Sequence, residues 1–375
     1  MHGTASLTEH FLGRLASMGL YGVMVVLIGF LILIHELGHF LVARKTGMRI
    51  EELSIGMGRE IFTTVRNGIR YSLRVLPFFG YVKITGMGLL DDDQPDGFNS
   101  RPFLARIATL AGGGLANMVF ALVLFVVIGC VYGKVVDSTS EIETVFAGKP
   151  AEKVGLLRGD RIVAVDQVRT TDVEKIRKHI EERPAKPVAL QLRRAGKRLD
   201  LTVVPAAEQG VTVGEDGKVM KRSIGRIGIG FHPVRAPMGV VESVKTGFLR
   251  SGLEVANWGY ALWLTLRGHS VIQLVGPVGM VNEMGSEAKG GAAAIPNLLS
   301  MWAMISLTLG VLNLVIPFPA LDGGRLAFQF LTPVVEFVRR KKVNRKIELW
   351  VHAAGIAVLL LMAVVVTIRD VVNWH

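Results

Sequence analysis

Four stretches of this chain are predominantly apolar over lengths too great for the core elements of a soluble fold. Leu20 to Ile34 carries no charge, and the run continues to Ala43 with His35, Glu36 and His39 in its second half. Ile107 to Gly133 is uncharged between Arg106 and Lys134. A third run begins near Asn297, after Pro296, and reaches Ile316, before Pro317 and Pro319 end it. The last covers Leu349 to Ile368. At about 1.5 Å of rise per residue each is long enough for roughly 30 Å of hydrocarbon. The pattern predicts transmembrane helices over about 20–43, 107–133, 297–316 and 349–368.

Between these runs the periodicity changes. Arg70, Ser72 and Arg74 alternate with Tyr71, Leu73 and Val75, which predicts a strand in the 50–90 loop. From Gly148 to Ile162 the order is turn, short helix, glycine turn, strand. Asp172 to Ile180 is amphipathic at helical spacing, and Val188–Leu192 and Leu199–Val203 flank an Ala-Gly hairpin turn. Some 70 such residues can build one small core. Gln209 to Arg226 is polar and glycine-rich, a loop or hairpin. Met238 to Arg267 mixes charge with apolar residues, and its uncharged part, Val255 to Leu266, is too short to span and suits the membrane interface.

Composition narrows the class. Half of the 375 residues are from the AVILMFWYC set, and the mean hydropathy is +0.43. With the four runs, this excludes a water-soluble single domain and a disordered or fibrous chain. One cysteine, Cys130, excludes an intramolecular disulfide framework. A net charge of +12 would suggest nucleic acid in a soluble protein; here the positive-inside bias of membrane loops accounts for it, and no nucleic-acid partner is expected. Lys and Arg concentrate between the first two spans (from Arg44 and Lys45 to Arg101 and Arg106) and between the last two (Arg339 to Lys342, Arg345, Lys346). Both loops are therefore expected in the cytoplasm, with both termini and the long middle region outside. The first apolar run is too long for a cleavable signal peptide and no small-residue cleavage site follows it. The basic run near residue 340 also suits anionic lipid headgroups.

The candidate chemistry lies in His35-Glu36-Leu37-Gly38-His39. Histidines four apart share one helix face, so both imidazoles reach one metal ion, and Glu36 can touch a water at that metal. A chance arrangement is the alternative, but ionisable groups inside an apolar span are expensive and need a common partner. A catalytic zinc wants a third protein ligand and an open position. Asp322, in Pro317-Phe-Pro-Ala-Leu-Asp-Gly-Gly-Arg325, is the candidate; an N-cap opening the next helix is the equal alternative. The other histidines, His2, His10, His179, His232, His269 and His375, read as solvated, and His352 as interfacial.

These motifs together resemble the site-2 protease family: His35-Glu36-Leu37-Gly38-His39 in a first span, Leu321-Asp322-Gly323-Gly324 after a late one, and a permuted PDZ-like region with its Gly-Leu-x-x-Gly-Asp-x-Ile stretch between them. The match is to the bacterial branch that regulates sigma factors by intramembrane proteolysis, and it covers almost the whole chain. The resemblance implies one Zn2+ held by His35, His39 and Asp322, with Glu36 activating water. It implies that the Gly113–Asn117 motif lies near substrate, with Asn117 binding a substrate backbone or a developing oxyanion; an interhelical hydrogen bond is the alternative. Gly80-Tyr81-Val82-Lys83 resembles the family's membrane-dipping β segment, whose free strand edge would pair with an unwound substrate, and Tyr71 and Leu73 are the strand residues assigned to it. Asn313 stands four residues before Pro317, one more than in the family, a rotation of about 100° on a helix that puts its substrate-clamp role in doubt. Gly276-Pro277 matches a family stretch without a chemical role.

The expected fold is a polytopic α-helical membrane protein of about four transmembrane helices, with a membrane-associated β loop and an inserted extracytoplasmic PDZ-like α/β domain. The expected division is 1–134 for the first half of the membrane core, 135–206 for the PDZ-like domain, 207–295 for a linker with an interfacial helix, and 296–375 for the second half. The expected activity is hydrolysis of peptide bonds in or near the membrane segment of a single-pass protein such as an anti-sigma factor, or of a remnant signal peptide. An upstream site-1-type protease would first trim the substrate. The implied location is the bacterial inner membrane, with a role in stress response. Two other classes compete. A metal transporter would use intramembrane His, Glu and Asp as a pathway, yet gains nothing from Glu36 beside the histidines, and no internal repeat is visible. A silent PDZ scaffold would not need Glu36.

Overall fold

The computed structural model describes residues 22, 26–88, 94–146, 148–213, 219–267, 284–285 and 294–372. Gly276-Pro277, His2, His10, His269 and His375 lie outside the described residues. The chain divides into two compact units, Met1–Leu124 with Met301–Val366, and Phe125–Ser300 with Thr367–His375.

The first unit is built on apolar helices. Helix α1 covers Val26–Lys45 and is followed by strands β1 (Ile50–Arg66) and β2 (Ile69–Ile84) and by helix α2 (Phe103–Tyr132). Among the described residues, four helices are long and apolar enough to cross a membrane: Val26–Lys45, Phe103–Tyr132, Ile295–Val315 and Lys346–Arg369. The last three coincide with their apolar runs to within four residues and the first ends two residues beyond its run, as expected for a multi-pass membrane protein. Phe30 of α1 stacks on Trp302 at 6.1 Å and meets Phe120 edge-on at 5.6 Å, and Leu31, Ala121, Ala303 and Leu307 of the same helices are buried. Lower down, α1 and α2 approach until their backbones touch. A Cβ on Gly112 would stand 2.8 Å from Gly38 O, and one on Gly38 would overlap Gly112 O. Only glycine permits this, and small residues at helix crossings are how membrane helices gain packing without a hydrophobic drive.

Strands β1 and β2 bend, so their pairing comprises four runs. Residues 60–66 pair with 69–74 as a hairpin (Thr64 with Tyr71, Arg66 with Ile69). Residues 52–55 then face 70–73 on one side and 80–83 on the other: Leu53 partners both Tyr71 and Val82, and Ile55 both Leu73 and Gly80. The order across the sheet is thus 60–66, 69–76, 50–55, 80–84. Leu53, Tyr71 and Val82 share a face that packs with Phe40, Ala43 and Leu110.

The second unit contains β3 (Lys134–Val145), α3 (Pro150–Lys153), β4 (Arg161–Val165), β5 (Val168–Arg169), α4 (Val173–Glu181), β6 (Val188–Arg194) and β7 (Lys197–Val203), of which α3, β4, α4, β6 and β7 follow the predicted order. Hairpin β8 (Ala206–Val213) and β9 (Val219–Arg226) follows, then β10 (Ile229–Ala236) and helix α5 (Val240–Leu266). The sheet order is β10-β3-β4-β6-β7, with β5 on β4. Its core holds Ile142, Ile162, Ile176, Leu190, Leu192 and Ile227. The sheet therefore runs past the expected boundary at 206. Strand β10, which the expectation placed in a linker, pairs with β3 from Ile229–Val145 to Ala236–Lys134. The reason is physical: β4 covers only one side of β3, and β10 satisfies the other. Asp172 caps α4, accepting from Glu174 N and Lys175 N at 3.0 and 3.3 Å. His179 and His232, read as solvated, are instead paired, with Asp166 (2.7 Å) and with Glu143.

After α6 (Ile295–Val315) the chain turns through Pro317 and Pro319 into α7 (Asp322–Arg339) and then α8 (Arg345–Val372). Helix α7 is amphipathic, and Phe330, Val334 and Phe337 on it are exposed.

Candidate metal centre

His35 and His39 leave α1 on the same face one turn apart, and their Nε2 atoms stand 3.1 Å from each other. Asp322 Oδ2 lies 2.9 Å from His35 Nε2 and 3.2 Å from His39 Nε2. Asp322 is the first residue of α7, whose N-cap is Leu321, so the capping alternative falls. These three residues are the group of His, Cys, Asp and Glu able to hold a metal ion among the described residues.

The set fits a cation. His39 Nδ1 donates to Thr109 O at 2.7 Å, which leaves a lone pair on Nε2. The three ligand atoms meet at one point, and Asp322 Oδ2 is buried there with the two imidazole nitrogens beside it. Such a carboxylate in a buried place is costly unless something positive joins it. Ligands about 2.0–2.1 Å from a tetrahedral zinc stand roughly 3.3 Å apart, close to the separations here. Two imidazoles and a carboxylate leave a fourth position open, the pattern of a catalytic site.

Gly113 explains how α2 fits beside the pair. A Cβ there would stand 2.5 Å from His39 Nε2 and 2.6 Å from His35 Nε2. The expectation grouped Gly113 with substrate; the structure places it against the imidazoles, where it makes room for them. Asn117, one turn further, is buried, with its Nδ2 3.5 Å from His35 Nδ1 and its backbone O accepting from Ser306 Oγ at 2.9 Å. It stands at the far nitrogen of His35, a position from which outer groups orient metal ligands, but it presents an amide donor there where Thr109 presents an acceptor to His39. Asn313 packs by its backbone against the residue after Asp322: its O lies beside Gly323, where a Cβ would be 3.2 Å away.

Glu36 reaches the sheet. Its Oε2 accepts from Val82 N at 2.8 Å. This corrects the assignment of Tyr71 and Leu73. Their run, 69–76, lies between 60–66 and 50–55, so its ladder is occupied on both sides. The run beside Glu36 is 80–84, which takes no strand partner on its outer side among the described residues. The Gly80–Lys83 stretch was the sequence signal for it. His352 stands apart from the metal group, buried against Phe328, with Nδ1 donating to Glu348 O.

Comparison with known proteins agrees. A family model described as peptidase family M50 matches residues 23–362. A putative zinc metalloprotease of Clostridium perfringens is 31% identical over 344 residues, covering 91% of this chain and 95% of its own. One from Rhizobium meliloti is 32% identical over 372 residues, covering 93% and 95%. The zinc metalloprotease RasP of Geobacillus kaustophilus is 29% identical over 426 residues, covering 92% and 96%. Among solved structures, the PDZ domain of an SdrC-like protein from Listeria monocytogenes aligns with 25% of this chain and 87% of its own, at 19% identity and a TM-score of 0.19. With two histidines and an aspartate converging beside a motif glutamate, and with matches along nearly its whole length, this chain belongs to peptidase family M50, the site-2 protease family of zinc metalloproteases.

Proposed function

We propose that this protein hydrolyses peptide bonds in or near the transmembrane segment of single-pass membrane proteins, with His35, His39 and Asp322 as zinc ligands and Glu36 as general base. The carrying observation is the convergence of His35 Nε2, His39 Nε2 and Asp322 Oδ2 in a unit of apolar helices, with Glu36 next to His35. A zinc ion, when bound, supplies Lewis-acid polarisation of a carbonyl and an acidified water. The chain's own groups do the rest. His39 is fixed by Thr109 O, and Asn117 stands at the far nitrogen of His35. Glu36 takes the water's proton and delivers it to the leaving amine. A helical substrate hides its carbonyls, so it must unwind. The outer edge of 80–84 offers backbone groups with which an extended segment can pair, and that edge adjoins Glu36.

The inserted α/β domain, on this reading PDZ-like and extracytoplasmic, restricts access to substrates whose outer part has been trimmed. Anti-sigma factors and remnant signal peptides are of that kind. The charge pattern of the loops supports a metal centre near the cytoplasmic side, and the family resemblance supports the bacterial inner membrane.

The test is cleavage of tagged single-pass helices, with and without outer domains, by the full-length protein and by Glu36→Gln. Loss of product in the variant at equal zinc content upholds the reading. Equal cleavage by both removes Glu36 from it, and zinc binding without any cleavage sinks proteolysis in favour of transport or scaffolding.

A further inference from the structure

The face of the bent sheet opposite the helices carries an unexpected group. Ser54 partners both Ser72 and Tyr81, so these three side chains leave the same face. Glu52 and Arg74, two residues away along their runs, share it. Arg74 Nη2 donates to Glu52 Oε1 at 2.9 Å, to Glu60 Oε1 at 3.1 Å and to Tyr81 Oη at 3.1 Å. Its Nε donates to Ser54 Oγ and its Nη1 to Gly58 O, both at 2.9 Å. Ser72 Oγ completes the network on Glu52 Oε1 at 2.6 Å. One guanidinium thus ties all four runs together. The side chains of Arg74 and Glu52 are only 18% and 13% exposed, in a hairpin whose Ile61, Phe62, Val65 and Val75 are exposed. A charged group is costly in an apolar loop unless its geometry does something, and the planar fork of arginine suits several fixed acceptors at once.

The run that needs such a brace is 80–84. Among the described residues it has a ladder on one side only, and its neighbour across that ladder, 50–55, is the strand from which Glu52 and Ser54 arise. Tyr81 points its hydroxyl to Arg74, and the next backbone N–H, that of Val82, is the one that holds Glu36. Shifting this run by one residue would reverse its faces and take the Val82 amide away from Glu36.

We propose that Arg74 is a positioning residue of the metalloprotease: acting through Tyr81, it fixes the 80–84 run, and with it the Val82 amide, against Glu36. The inference rests on the reading in the preceding subsection. Arg74 touches neither substrate nor metal. Its effect is on where the substrate-facing edge stands, and a displacement of about 1 Å at that distance from the chemistry is enough to cost on the order of 100-fold in rate.

The experiment compares full-length wild type, Arg74→Ala and Tyr81→Phe in three measurements: zinc content, amide hydrogen exchange, and cleavage of a tagged single-pass helix with product masses. Arg74→Ala is expected to keep wild-type zinc and wild-type exchange in α2 around Thr109. Its 80–84 amides should exchange at least about tenfold faster, kcat/KM should fall roughly 10- to 100-fold, and the cut should spread to neighbouring bonds. Tyr81→Phe should move the same readouts by less. A purely structural role would lower stability without spreading the cut. Wild-type exchange in 80–84, or faster exchange with wild-type kcat/KM and a single cut, overturns the proposal. If Arg74→Ala does not accumulate, Tyr81→Phe decides: unchanged exchange and cleavage overturn it, a graded loss upholds it. No cleavage by the wild type sinks the metalloprotease reading instead, and the exchange comparison then decides separately whether Arg74 holds the run.

Discussion

The two units spend their buried residues differently. In the α/β domain the core is Ile142, Ile162, Ile176, Leu190 and Leu192, and the ionic groups sit round it in pairs, Asp160 with Arg194 and Asp166 with His179 and Arg183. In the helical unit three ionisable side chains converge on one point, and glycines bring the backbones together around them. One unit is organised for stability and the other holds groups that are unfavourable until a cation joins them. Substitutions should therefore separate: chemistry lost without unfolding in the first unit, stability lost without chemistry in the second.

The largest expected separation is at the ligands. His39→Ala should lose zinc and all cleavage, and chelation of the wild type should do the same reversibly, measured as zinc content and product formed. Retained zinc in His39→Ala would break the comparison at its root. Next comes Gly113→Val, which places carbon where the imidazoles stand; zinc affinity should fall about 10- to 100-fold, as when the groups that orient metal ligands are lost, while the helices remain, as read by titration and circular dichroism. In the other unit, Leu192→Ala should destabilise the α/β domain by about 2–5 kcal/mol, seen in local hydrogen exchange, with zinc content unchanged. Coupled loss of zinc would show that the units are not energetically separate.

The smallest effect concerns pH. Burial raises the Asp166 carboxyl, but the hydrogen bond from His179, the Ala189 N–H and Arg183 outweigh it and hold it below the usual carboxylate value. The N–H groups of Lys175 and Glu174 lower Asp172 likewise. A carboxyl lowered in the folded state contributes stability that is present above its unfolded value, about 3.9, and is lost as pH falls through the lowered one. Amide protection in α4 should therefore weaken below about pH 4, and Asp166→Asn should flatten that dependence. An unchanged profile in Asp166→Asn would assign the effect elsewhere.

Periodicity was a good guide wherever one chain segment determines its own environment. The four spans, the amphipathic α4 and the hairpin between β6 and β7 lie where the apolar pattern places them. Histidines at i and i+4 share a face by helix geometry alone, so half of the metal centre was legible in five residues. Arrangements that depend on distant partners were not. Tyr71 and Leu73 showed clean alternation, yet an occupied ladder on both sides excludes them as a free edge, and only the bend of β1 and β2 reveals that. Strand β10 lies beyond a polar stretch, and nothing local marks it as the partner of β3.

The apolar spans, the pair of imidazoles and the neighbouring Glu36 could be read along the chain, because helix period and apolar length are local properties. The tertiary structure alone decided three things: that Asp322 faces both histidines, that Gly113 makes room for them, and that the 80–84 run meets Glu36. Each is a contact between segments far apart in the chain, and the distance between such segments is fixed by packing rather than by any pattern along the sequence.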